Sequence, residues 1–339
     1  MRPTATLTLF TALVVAIPAC GDGVGSAPPP DPSQPGPYAV GATSELFVRA
    51  SSTTGEPREL DTVIWYPAPA GASGDGDFQG GLRDAPLASG GPFPLLVFSH
   101  GSCGAPGQSK FLTTRLASYG FVVAAPPHPG NTIFDGATPD RCLNPVNLVD
   151  PFRNRPGDVE FTIDRMLALS AGDGRFAGAI DASQVGIFGH SFGGQTVVRV
   201  AAEDARVRAV LALAPGASAI VLPQADAIGV PAMIQGGQKD TVAPFAQNQQ
   251  ALYDRLRAPR FLVQILNTGH FAFADACLSP TGTTYPDCAA GTLSQEDAHA
   301  LVVRFAVPFF ETYLAGDRRW ASLLAPDQLP DGVVYVADP

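Results

Sequence analysis

Runs of lysine or arginine are missing from all 339 residues, and 21 basic side chains stand against 31 acidic ones, for a formal net charge of −10. A protein that follows a phosphate backbone needs a basic stripe, so nucleic acid is excluded as a partner. The sequence also lacks a GxxxxGKS/T loop, an HExxH pair and a GxGxxG turn after a strand. Neither a metal nor an organic cofactor is therefore expected. Long apolar runs are absent as well: Leu7–Ile17, near the N-terminus, is too short to span a bilayer as a mature helix. Cysteines number only five and include no CxxC pair, which argues against a zinc site.

What is present suits a globular chain. The hydrophobic content of 45% is enough for the core of one large α/β domain, and 36 glycines with 33 prolines imply many loops. Arg2, the apolar stretch and Ile17-Pro18-Ala19-Cys20-Gly21 resemble a bacterial lipoprotein signal over residues 1–20, with lipid added at Cys20. The expectation is an exported protein of the bacterial cell envelope, touching the membrane only through that lipid; an ordinary signal and a periplasmic or secreted product is the alternative. Residues 21–37, rich in Gly, Pro, Ser and Asp, read as a flexible linker. Lipidation of Cys20 leaves four cysteines for two bridges in an oxidising compartment. Cys277–Cys288 closes a short segment, which makes Cys103–Cys142 the second pair by elimination.

From about residue 60, short apolar strands alternate with helical patterns. Strands are expected at Leu60–Tyr66, Leu95–Ser99, Phe121–Ala125, Gln184–Phe188, Val207–Leu213, Ala232–Gln235 and Phe261–Leu266. Helices are expected at Ser109–Tyr119, Asp158–Ser170, Ser191–Glu203, Phe245–Leu256 and Gln295–Leu314, the last capped by Ser294. This order predicts an α/β fold, a mostly parallel central sheet with helices on both faces. One catalytic domain spans 38–325, with 126–157 as a lid or pocket wall and 326–339 as a C-terminal tail.

The chemistry centres on Gly189-His190-Ser191-Phe192-Gly193, a G-x-S-x-G pentapeptide. Alone it is a weak signal; between the strand ending at Phe188 and a helical pattern it reads as a nucleophile elbow, with small residues where strand and helix backbones crowd. A serine nucleophile needs a base, and the base needs a carboxylate. With the order Ser, acid, His, the eligible bases are His270 and His299. His299 lies inside a helical pattern, whereas His270 follows a strand. Among Asp204, Asp226, Asp240 and Asp254, Asp240 follows a strand's carboxyl end, where open α/β sheets collect their sites. The expected triad is Ser191, Asp240 and His270. Backbone N–H groups of Phe192 and Ser102 are the expected oxyanion donors. Phe192 and Phe271 are candidate walls of a substrate pocket, ordinary core packing being the alternative.

Phe98-Ser99-His100-Gly101, Leu116 to Ala124, the elbow and Arg155-Pro156-Gly157-Asp158 together resemble the platelet-activating-factor acetylhydrolase family and its bacterial dienelactone-hydrolase-like relatives. The resemblance implies an α/β-hydrolase fold and a serine esterase. Those acetylhydrolases carry the acid on the strand after the nucleophile helix; here that stretch is Leu213-Ala214-Pro215-Gly216, so the acid is displaced to Asp240, as in bacterial cutinases. Dienelactone hydrolases proper use cysteine, here replaced by Ser191. The expected function is hydrolysis of short or medium acyl esters, or phospholipid-type acetyl esters, through an acyl-enzyme. Alternatives are a cutinase or polyester hydrolase, and a tethered binding lipoprotein without turnover.

Overall fold

The computed structural model describes residues 27–278 and 291–339. The expected signal and lipidation site at Cys20, and the Cys277–Cys288 bridge, lie outside the described residues.

Eleven strands form one sheet: β1 (Ala39–Ala50), β2 (Pro57–Ala68), β3 (Asp77–Phe78), β4 (Gly81–Arg83), β5 (Phe93–Ser99), β6 (Val122–Ala125), β7 (Ile180–His190), β8 (Val207–Leu213), β9 (Ala232–Gly237), β10 (Arg260–Ile265) and β11 (Val333–Asp338). Their order is β11-β10-β9-β8-β7-β5-β6-β2-β1-β4-β3. The six strands from β6 to β10 run parallel, while β2 pairs antiparallel with β6, β1 antiparallel with β2, and β11 antiparallel with β10 on the other side. The helices are α1 (Lys110–Ser118), α2 (Pro139–Leu143), α3 (Val149–Ala171), α4 (Phe192–Glu203), α5 (Leu222–Ala225), α6 (Gln249–Tyr253) and α7 (Gln295–Phe310).

Alternation along the strands divides the core into two layers. Leu95, Val97 and Ile187 point towards Val159, Ile163 and Val197 of α3 and α4. Leu96, Phe98 and Phe188 point towards Leu112, Phe305 and Phe309 of α1 and α7. Helices cover both faces, as an α/β-hydrolase fold requires. Between β5 and β7 the strand order reverses direction. The carboxyl ends of the two strands flank a crevice there, the place where such sheets hold their ligands.

Several expectations are corrected. β1 was not anticipated: only every few residues are buried, and Leu46 and Val48 face solvent. The expected tail at 326–339 supplies β11, whose Val333–Asp338 pair antiparallel with β10. The linker is not free throughout, because Tyr119 Oη donates to the carbonyls of Asp31 and Gln34, and Gly36 N donates to Ser118 Oγ. Helix α3 begins nine residues before the expected Asp158, so 126–157 is not one irregular segment. Its two prolines obscured this. Pro151 sits in the first turn, where an N–H has no helical partner anyway, and Pro156 lies inside the helix. The carbonyl of Phe152, which Pro156 cannot serve, accepts from Arg199 Nη1 instead. The expected helix at Phe245–Leu256 breaks into a 3-10 turn (Phe245–Gln247) and α6, and the last helix changes to a π turn after Phe310.

Candidate active site

Ser191 follows the last residue of β7 and precedes the first residue of α4, with φ 55° and ψ −117°. A non-glycine residue at positive φ is strained, and only the surrounding packing holds it there. The packing is tight. A Cβ on Gly193 would lie 1.9 Å from the Ser99 carbonyl oxygen, and one on Gly189 would lie 2.4 Å from that of Gly193. Any larger residue at either position would push the elbow away from β5.

His270 Nε2 lies 2.8 Å from Ser191 Oγ, and His270 Nδ1 lies 2.7 Å from Asp240 Oδ2. The other oxygen of Asp240 accepts from the N–H groups of Val242 (2.9 Å) and Ala243 (2.7 Å). A carboxylate so held is an acceptor towards His270, so Nδ1 carries the proton and Nε2 is free to accept from the serine hydroxyl. The structure thus brings these three expected residues from the ends of β7, β9 and β10 into one hydrogen-bonded line.

The rejected candidates have other partners. Asp204 pairs with Arg206, Asp226 with Arg255, and Asp254 accepts from Gln250. His299 stacks on Phe111 at 3.5 Å and bonds to the Ala274 carbonyl. Burial pulls its pKa down to about 4.

The loop after β5 is held from several sides. Arg155 is fully buried; its Nη1 donates to the His100 carbonyl (2.6 Å) and its Nη2 to the carbonyls of Gly101 (3.0 Å) and the Asn131 side chain (2.6 Å). Its guanidinium also lies over the Phe192 ring, 4.6 Å from the centroid. Burial lowers its pKa to about 9, opposed by nearby Asp158, so it remains charged at neutral pH. Gly101 N in turn donates to Gln108 Oε1 (2.9 Å). Gln108 Nε2 bonds to His190 Nδ1 (2.7 Å), and His190 Nε2 donates to the His270 carbonyl (3.0 Å). A carbonyl can only accept, so His190 is protonated on Nε2. Burial first, then the neighbouring His270, holds it well below the ordinary histidine pKa, and it is neutral. Gln108 and His190 therefore brace the oxyanion loop against the base loop beneath the triad.

Beneath Arg155 lies a second buried group. Asp158 accepts from Arg58 (2.7 Å), Arg49 (2.6 Å) and His128 Nδ1 (3.0 Å). Burial raises its pKa, but bonds from His128 and Arg58 outweigh this and bring it to about 2. None of Arg155, Asp158, Gln108 or His190 was assigned a site role from sequence. The only signals were the Arg155–Asp158 motif before α3 and the position of His190 inside the elbow.

Ser102 and Ser191 line one cavity of about 610 Å³ together with Phe192. Among the described residues, neither the Ser102 nor the Phe192 N–H has a hydrogen-bond acceptor. Ser102 Oγ donates to the Cys142 carbonyl (2.7 Å), and the Cys103–Cys142 disulfide joins this loop to α2, as expected. Residues of α2 and the start of α3, including Leu143, Leu148, Val149 and Phe152, form one wall. Ile220 and Val242 also line the cavity. Phe271 is not among the lining residues. Its ring packs edge-on against His270, with centroids 5.4 Å apart, so of the two expected pocket phenylalanines the cavity contains Phe192. Phe192 stacks near Phe152 at 6.4 Å.

A family model described as PET hydrolase-like matches residues 68–330. The chain is 24% identical to a platelet-activating factor acetylhydrolase of Cavia porcellus, over 72% of this chain and 63% of the relative. It is 25% identical to cutinase est1 of Thermobifida alba, over 53% of this chain and 54% of the relative. A bis(hydroxyethyl) terephthalate hydrolase of Streptomyces coelicolor is 24% identical over 94% of this chain and 86% of its own length. The chain thus spans less than two thirds of the first two relatives.

Proposed function

The chain belongs to the PET hydrolase-like family, and from that premise we propose that it hydrolyses carboxylic esters through an acyl-enzyme on Ser191. The observation that carries this reading is the unbroken line Ser191 Oγ–His270 Nε2 (2.8 Å) and His270 Nδ1–Asp240 Oδ2 (2.7 Å) beside an apolar cavity.

In this reading Ser191 Oγ attacks the ester carbonyl carbon while its proton passes to His270 Nε2. Asp240 keeps the ring in the required tautomer and stabilises the imidazolium. The carbonyl oxygen, now negative, is held by the N–H groups of Phe192 and Ser102, a contribution of about 3 kcal/mol per well-placed donor. The C–O bond to the alcohol breaks, and His270 returns the proton to the departing oxygen. Water then attacks the acyl-enzyme by the same route, releasing the acid and free Ser191.

The cavity suits short or medium acyl chains, a phospholipid-type acetyl ester included. A second reading, hydrolysis of polyesters, is favoured by the exposed apolar side chains of Leu143 and Ile220 at the cavity. The names of the cutinase and bis(hydroxyethyl) terephthalate hydrolase relatives point the same way. The third reading, a non-catalytic tethered binder, leaves the strained Ser191 backbone without a purpose. Hydrolysis of p-nitrophenyl acetate, butyrate and octanoate, and of a polyester film, decides among them when run beside Ser191→Ala. Serine-dependent turnover of the soluble esters is expected, and release from the film as well would favour the polyester reading. Export with lipidation at Cys20 remains part of the proposal. Replacing Cys20 by Ala should move the protein from the membrane to the soluble fraction.

A further inference from the structure

Arg153 is the one charged side chain among the described residues that line the cavity containing Ser191. It stands near the start of α3, and its guanidinium makes no ion pair or hydrogen bond among the described residues. The acid one helical turn earlier, Asp150, forms no ion pair with it: that carboxylate accepts from Thr53 Oγ1 and Asn154 Nδ2 and is not part of the cavity. The backbone that carries Arg153 is fixed. Its neighbour Phe152 is held through its carbonyl by Arg199, and its ring contacts both the Arg199 guanidinium (3.9 Å) and the Phe192 ring (6.4 Å). The rest of this wall is apolar, with Leu143, Leu148 and Val149.

We propose that Arg153 is a specificity-determining residue that selects esters whose apolar chain ends in a carboxylate, such as half-esters of dicarboxylic acids. The inference rests on Ser191 being the nucleophile. An apolar chain attached to the ester would fill the space between Ser191 and the outer part of the cavity, where an exposed guanidinium meets its far end. Guanidinium and carboxylate fit as a two-pronged pair, which a neutral chain end cannot form. A chain of net charge −10 repels anions at long range, so the selection must come from this local cation. Because Arg153 is exposed, the advantage is about fivefold at low salt and shrinks as salt screens it.

The test compares mono-p-nitrophenyl esters of adipic, suberic and sebacic acids with their methyl-capped neutral counterparts. Wild type, Arg153→Gln and Arg153→Glu are assayed at low and high salt. The expected result is a kcat/KM ratio of about five in favour of the free carboxylate at one chain length. That ratio should fall to about one in Arg153→Gln and at high salt, and invert in Arg153→Glu. Turnover by all three proteins with one unchanged ratio would overturn the inference and leave the esterase reading intact. Absence of Ser191-dependent turnover of either ester would overturn both.

Discussion

Arg155 Nη2 lies 3.0 Å from the Gly101 carbonyl oxygen. In a trans peptide the C=O and the following N–H point in opposite directions, so this bond turns the Ser102 N–H away from Arg155. A second bond, Gly101 N to Gln108 Oε1, fixes the preceding peptide plane. The Gly101 carbonyl also accepts from Gly104 N (3.1 Å) and His100 Nδ1 (2.7 Å), so the loop cannot rotate its donor without breaking several bonds, one of them charged.

Replacing Arg155 by Met should therefore lower kcat by about 10²-fold with a much smaller change in KM, the signature of a lost transition-state donor. Lysine, with no fork to span the carbonyls of His100 and Gly101, should restore only part of the loss. Steady-state kinetics beside thermal melting checks this. A KM effect alone, or kinetics unchanged in a folded Arg155→Met, would contradict it.

His190 ties the elbow to the base by its bond to the His270 carbonyl. His190→Phe keeps a flat ring and removes both ring bonds, taking the His190 partner away from Gln108 Nε2 and from the His270 carbonyl. A stability loss of about 1–3 kcal/mol is expected, read by urea unfolding, together with a fall in kcat. A variant as stable and active as wild type would remove His190 from the positioning role.

The Cys103–Cys142 bridge spans 39 residues and fastens the oxyanion loop to α2. The double replacement Cys103→Ser and Cys142→Ser should cost about 2–4 kcal/mol of stability. Because α2 forms a cavity wall, KM should rise more than kcat falls. Unfolding curves and ester kinetics test the two effects separately.

Acid should destabilise the fold well above the carboxylate range. His100, His128, His190 and His299 are all buried, and burial is the first cause that lowers each pKa, to about 4 for His128 and His299. In the unfolded chain each takes up a proton near pH 6.5. Between those values the unfolded state binds more protons, so stability falls as pH falls. Two carboxyls act the other way: burial lifts Asp275 to about 6 and Glu311 to about 8, and their contribution falls as pH rises. Four groups against two leave a net uptake of about two protons on unfolding near pH 5.5. Urea unfolding should give a smaller free energy at pH 5 than at pH 7; the reverse order would contradict this.

The line from Ser191 to Asp240 was legible because each residue follows a short apolar strand, and strand ends are easy to read. So was the Cys103–Cys142 pairing, once Cys277 and Cys288 had been set together. The strand Ala39–Ala50 was not, since an antiparallel strand near the sheet's edge carries Thr, Ser, Glu and Arg between its buried positions. The first turns of α3 were hidden by Pro151 and Pro156, and only the distant Arg199 makes the latter tolerable. The brace through Arg155, Gln108 and His190 joins residues 54 and 82 positions apart. No local pattern announces bonds of that kind.

The central claim is that Ser191 is the nucleophile, and the most direct measurement is covalent trapping with diethyl p-nitrophenyl phosphate. One equivalent of p-nitrophenol should be released per protein as ester hydrolysis is lost, and peptide mass mapping should place a single diethylphosphoryl group on Ser191. Ester hydrolysis that persists in the fully labelled protein, or a label on any other residue, would contradict the account.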